Sequence, residues 1–259
     1  MAYNSPQQAY PFPWPKQIGG LSFLWLTFLL SGGAIAEGEP ANIPVAADID
    51  LKPYRATYRI SKDGMVAEVK RELQQLPDER WRLSDSARIL FFKLEESADV
   101  RLHNGHITPL HYRYRQGPGK NKNQDIHYDW EQRTAQIELD DKTRSVKLDQ
   151  PSFDKLSLQL QLRLDLLAGR LQQAQSYRLV DRGRVKHYRV EKIGEETLSL
   201  GKRQMHTIKL RQHTEGKDRE TWIWVAPDLD YLIVKIVQED EDERYEMQLE
   251  SATLARAGT

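Results

Sequence analysis

From Tyr54 onward the chain alternates. Tyr54, Ala56, Tyr58 and Ile60 fall on one face of an extended segment, and Arg55, Thr57 and Arg59 on the other, the signature of a half-buried strand. The same period recurs over Met65 to Leu73, Trp81 to Ala87 and Leu94 to Leu102, with turns at Lys62-Asp63-Gly64 and Pro77-Asp78. His103-Asn104-Gly105-His106 predicts a tight type I′ hairpin, because Asn-Gly tolerates positive φ at both central positions. In its second strand Leu110, Tyr112 and Tyr114 share a face. Ile126, Tyr128 and Trp130 alternate with acids and a histidine, and Ala135, Ile137 and Leu139 continue the pattern. Further strands are predicted over Ser176 to Val180, Val185 to Glu191, Thr197 to Leu200, Gln204 to Gln212, Arg219 to Ala226, Tyr231 to Glu239 and Arg244 to Leu254. Many short strands joined by turns specify a mainly β protein, a curved antiparallel sheet or partly closed β-barrel.

Residues 152 to 168 break this rule. Leu156, Leu158, Leu160, Leu162, Leu164 and Leu166 alternate strictly, yet the segment holds strong helix formers and no β-branched residue. Pro151 precedes it, Ser152 can cap it and Gly169 stands where a helix stops. A helix is therefore expected, apolar on two sides and packed in the concave face of the sheet.

The amino terminus has a different pattern. Lys16 is the one charge before Glu37, an apolar run from Leu21 to Leu30 follows, and Ala34-Ile35-Ala36 ends a small-residue stretch. This predicts a signal peptide over residues 1–36, cleaved after Ala36. The run is too short for a bilayer span, which needs roughly 20 apolar residues, so no stable membrane insertion is expected after cleavage. Residues 37–51 form a flexible lead-in and 52–259 a single domain. With Cys 0 there is no lipid-modified cysteine, disulfide or thiol nucleophile, and a soluble periplasmic protein is expected. Lys+Arg 38 against Asp+Glu 38 provides no basic excess for nucleic acid.

Asp154-Lys155-Leu156-Ser157 with Arg163 downstream, and Trp222-Ile223-Trp224-Val225-Ala226-Pro227-Asp228-Leu229-Asp230-Tyr231-Leu232, make the domain resemble the family called domain of unknown function 3108, exported proteins of Gram-negative bacteria. The motif residues are Asp154, Ser157, Arg163, Pro227 and Asp228, and Ile233 departs from a position where the family often has proline. The resemblance implies an all-β, concave, periplasmic fold, similar in shape to carriers of lipoproteins or lipids, and no reaction.

Chemistry-bearing motifs are sparse. His103, His106, His111 and His127 would ligate a metal only if they converged in space; His103 and His106 flank a hairpin turn and are expected to be solvated, and no metal and no cofactor is expected. Gly117 to Lys122 lacks phosphate-loop spacing, and there is no Gly-x-Ser-x-Gly elbow or His-Glu-x-x-His helix. Asp228 and Asp230 are turn residues, and Glu239 to Glu243 is a charged hairpin tip. A non-enzymatic binding or carrier module for an amphiphilic or lipid-like ligand is expected, with Trp222, Trp224, Tyr231, Leu158 and Leu162 as candidate ligand-binding residues. The alternatives are an envelope scaffold that meets a protein partner and, ranked last, a hydrolase.

Overall fold

The computed structural model describes residues 51–255 apart from 63, 90–91, 118–122, 141, 215–219 and 241–242. The signal peptide, most of the lead-in, the tip of the basic loop and the centre of the acidic tip lie outside the described residues. The elements run β1 (Tyr54–Lys62), β2 (Met65–Gln75), β3 (Arg80–Ile89), β4 (Phe92–His103), β5 (His106–Gln116), β6 (Gln124–Asp129), β7 (Thr134–Leu139), β8 (Lys142–Lys147), α1 (Lys155–Leu167), β9 (Ala174–Asp181), β10 (Arg184–Leu200), β11 (Arg203–Thr214), β12 (Glu220–Ala226), β13 (Leu232–Asp240) and β14 (Glu243–Leu254). They form one 14-stranded sheet in the order β8-β7-β6-β5-β4-β3-β2-β1-β14-β13-β12-β11-β10-β9. All of its strand pairs are antiparallel, and the chain's first and last strands meet in its middle.

The sheet curls until its ends approach without closing. A Cβ built on Gly183, after β9, would lie 2.3 Å from Cδ of Arg144 on β8, although β8 and β9 stand at opposite ends of the strand order. Phe153 instead bridges Leu179 in parallel, giving its N–H to Arg178 and taking one from Val180, so the outer edge of β9 is partly paired.

The helix occurs where composition rather than period predicts it. Its N-cap is Asp154, not Ser152: Asp154 Oδ1 accepts from the Leu156 and Ser157 amides, while Ser157 Oγ accepts from the Asp154 amide, a reciprocal capping box. Ser152 is turned to the Gln150 carbonyl instead. Gly169, at φ +65, stops the helix in the left-handed conformation that glycine adopts without strain. Leu156, Leu158, Leu160, Leu162, Leu164 and Leu166 are all buried, as are Ser157, Gln161, Arg163 and Asp165 between them. The helix is enclosed on nearly every side.

Three strand expectations change. Asp99 pairs with His111 and Val100 with Pro109, so Leu110 is a bulged residue; inward positions switch from Ile107 and Pro109 to Tyr112 and Tyr114, and Leu110 does not share their buried face. The segments 185–191 and 197–200 are one 17-residue strand, β10, continued across an irregularity at Ile193. Strand β8 was not expected, because Lys142–Lys147 is exposed at almost every position and shows no alternation. The Asn-Gly hairpin is as expected, with Asn104 at φ 50, Gly105 at φ 70 and His103 opposite His106.

Candidate functional site

Register defines the concave lining. Leu73, Leu83, Ala98, Tyr112, Ile126 and Ile137 lie directly opposite one another across β2 to β7 and form an apolar row. One rung along, Arg71, Asp85, Glu96, Tyr114 and Gln124 form a polar row on the same face. A second apolar row, Val69, Ala87 and Leu94, follows. A belt of charge thus crosses an otherwise apolar concavity.

Most of the belt's charges are paired within it, although Gln124 Nε2 is buried without a hydrogen-bond partner. Arg71 donates Nε and Nη2 to the two Asp85 oxygens at 2.7 and 2.6 Å and Nη1 to Gln159 Oε1 on α1 at 2.8 Å. Its guanidinium also lies 5.3 Å from the Tyr58 ring centroid. Asp85 and the tyrosines hold Arg71 firmly protonated against its burial. The Tyr112 hydroxyl donates to Glu96 Oε1 at 2.5 Å, and burial pushes the Glu96 carboxyl above the usual range. Buried Asp181 is held low despite desolvation by Lys155 on α1, 3.8 Å away, and Lys186, 2.5 Å away. Lys155 also lies 5.9 Å from the Tyr114 ring centroid. Lys62, next inward after Ile60 on β1, is buried as well.

At the helix's other end the latches differ. Gln161 Oε1 accepts from the Ile107 amide; Asp165 accepts from Gln161, Arg170 and Tyr177, and Arg170 also reaches the Gly105 carbonyl. Arg163 donates to the Asp230 carbonyl at 2.7 Å and lies 5.2 Å from the Tyr54 ring centroid. Asp230 and Tyr231 both have positive φ, 51 and 58, uncommon for residues other than glycine. Pro227 starts a single 3-10 turn of three residues before them, and Asp228 is exposed. The two motifs that carry the family resemblance therefore meet: Asp154 and Ser157 set the helix start, and Arg163 pins the strained turn that follows Trp222 to Ala226.

The candidate ligand-binding residues separate. Leu158 and Leu162 are buried on the enclosed helix. Ile223 stands opposite Leu210 and Ile236, and Ile236 opposite Met247; this row continues to Ile60 on the concave face. Trp222 and Trp224 alternate with it and so lie on the convex face. There Lys209 Nζ is 4.6 and 5.1 Å from their ring centroids, and Trp224 Nε1 donates to Glu196. Tyr231 sits at the strained turn, half-buried. The five residues do not share one lining.

The polar belt was missed, although its signal is in the sequence. Arg71 falls between Val69 and Leu73, Asp85 between Leu83 and Ala87, and Glu96 between Leu94 and Ala98: three consecutive strands each place one charge on the apolar parity. Register also joins two histidines. His111 and His127 are directly opposite on β5 and β6, stacked at 4.2 Å between centroids, while His103 and His106 remain exposed at the hairpin. Desolvation lowers the His111 pKa in spite of its bond to Asp125.

One antiparallel sheet rolled around a buried helix places the chain among β-barrel-like proteins. It belongs to the family described as Protein of unknown function (DUF3108), whose model matches residues 53–250. In fold it is similar to a beta-barrel-like protein of domain of unknown function DUF1849 from Brucella abortus, at 12% identity and TM-score 0.53 over 81% of this chain and 100% of that one. MucB aligns at 9% identity and TM-score 0.33 over 84% of this chain and 57% of its own. LprF from Mycobacterium bovis aligns at 10% identity and TM-score 0.23 over 80% and 88%. No curated protein matches the sequence.

Proposed function

We propose that this protein is an exported, non-enzymatic binding or carrier module of the periplasm whose concave face takes an amphiphilic, lipid-like molecule. The observation that carries this is the alternation of apolar and charged rows on the concave face, entered by a helix with almost no exposed side. Burying charge costs several kcal/mol per ion before pairing, and an all-apolar lining would enclose a helix more cheaply. The rows suit a ligand with an acyl part and a polar head: apolar rows for the chain, and Arg71, Glu96 and Lys155 for the head. Helix α1 buries apolar side chains against the concave face where an acyl chain would lie, so displacement of the helix exchanges one apolar partner for another.

Native mass spectrometry on detergent-free protein purified from the exporting cell tests this. A non-covalent adduct that organic solvent releases is expected. A clean apo mass under several expression conditions overturns the carrier reading. In the same spectrum a mature chain beginning at Glu37 supports export, and residues before it refute cleavage after Ala36. The second reading, an envelope scaffold, draws on β8, an edge strand of six mostly exposed residues to which a partner strand could add. In-cell crosslinking from Arg144 that returns no recurrent partner removes it.

A further inference from the structure

We propose that His111, Asp125 and His127 form a binding site for one divalent transition-metal ion of the zinc or copper class on the convex face of β5 and β6. The proposal is independent of the carrier reading, since the site lies on the opposite face from the belt. Two imidazoles and a carboxylate are donors such ions take, and here register supplies them. His111 and His127 are directly opposite, and Asp125 is two residues before His127, hence on the same face. His111 Nε2 lies 3.1 Å from Asp125 Oδ1, and one ligand atom from each of the three residues falls within 4.8 Å of the others.

Tetrahedral zinc with bonds of about 2.0–2.1 Å needs its ligand atoms roughly 3.3 Å apart. The His111 and Asp125 atoms already stand at that separation. His127 must tilt out of its stack by up to about 1.5 Å to reach that separation, and as an exposed side chain it has room to turn. Arg115 binds Asp125 Oδ2, and Arg113 Nε lies 3.2 Å from Oδ1. Together they fix the carboxylate as outer-shell donors fix metal-binding carboxylates, and the ion replaces the His111 contact at Oδ1. Glu138 opposite Asp125 offsets part of the arginine charge, whereas Asp99 opposite His111 is already paired with Arg82. Water completes the coordination, as in open zinc sites.

Isothermal titration of metal-free full-length protein with zinc chloride tests the site. One equivalent is expected to bind, and His127→Ala to weaken binding about tenfold or more; circular dichroism checks that this exposed substitution leaves the fold intact. His103→Ala/His106→Ala, at the hairpin, is expected to bind as wild type. With one equivalent of copper(II), electron paramagnetic resonance is expected to show two coordinated imidazole nitrogens, reduced to one in His127→Ala. Zinc binding absent from wild type, unchanged in His127→Ala, or abolished by the hairpin double variant overturns the proposal.

Discussion

Two arginine–aspartate pairs on neighbouring strands use the same chemistry on opposite faces. Arg71–Asp85 joins β2 to β3 on the concave side, with side chains 4% and 10% exposed; Arg82–Asp99 joins β3 to β4 on the convex side, at 45% and 15%. Both are bidentate and directly opposite in register. Geometry therefore does not separate them, and solvent does. Outside, water screens each charge and a broken pair is rehydrated. Inside, each partner is what keeps the other soluble in the core, and Arg71 also holds Gln159 of the helix.

The largest expected effect is Arg71→Ala, a loss of about 3–5 kcal/mol in urea unfolding, because Asp85 is left buried and unpaired. The double variant Arg71→Met/Asp85→Leu is expected to recover most of that loss; if it does not, the pair is more than a neutralised charge. Next is Leu164→Ala, fully buried on the helix, at about 2–5 kcal/mol by the same measurement, which sets the weight of the apolar rows against the belt. Third is a pH effect. Burial raises the Asp154 pKa to about 6, above an unfolded value near 4, so the folded chain keeps a proton that the unfolded chain has lost. That stabilisation is complete below about pH 4 and disappears as pH rises through about 6, a change of about 1–3 kcal/mol. Asp154→Asn retains a cap and is expected to flatten the pH dependence in this window; an unchanged slope refutes it. The smallest is Arg82→Ala, at under about 1 kcal/mol and smaller in high salt. A cost equal to that of Arg71→Ala would abolish the distinction between the faces.

Strand alternation made most of the sheet legible, since each interior strand buries one face. It failed where that condition lapses. Lys142–Lys147 is exposed on both sides and carries no period; Leu110 and Ile193 interrupt the parity around them; and the break near Ile193 splits one strand into two apparent ones. The helix was legible only through propensity, as its leucines follow the strand period; Ser152 beside Pro151 looks like its cap, whereas the reciprocal bonds of Asp154 and Ser157 start it two residues later. The site was less legible. Which face is concave depends on how distant strands curl, and a tryptophan pair with lysines above it has the same local pattern as one that lines a pocket. His111 and His127 meet only once the register of β5 and β6 is known.

The meeting of β1 with β14 has a consequence for assembly. Tyr54 pairs with Leu254, and the Ala255 amide bonds the Pro53 carbonyl at 2.8 Å, so the seam at the middle of the sheet is made by the two ends of the domain. Each half can zip hairpin by hairpin from local contacts, but joining them must wait for the final dozen residues and closes a loop of nearly the whole domain, the slowest kind of contact to form. Until then two unpaired edges face solvent at the future centre, where strand addition by another chain would be most damaging. A linker joining the two ends and new termini cut at the exposed Gly201-Lys202 turn between β10 and β11 would turn that last step into a local hairpin.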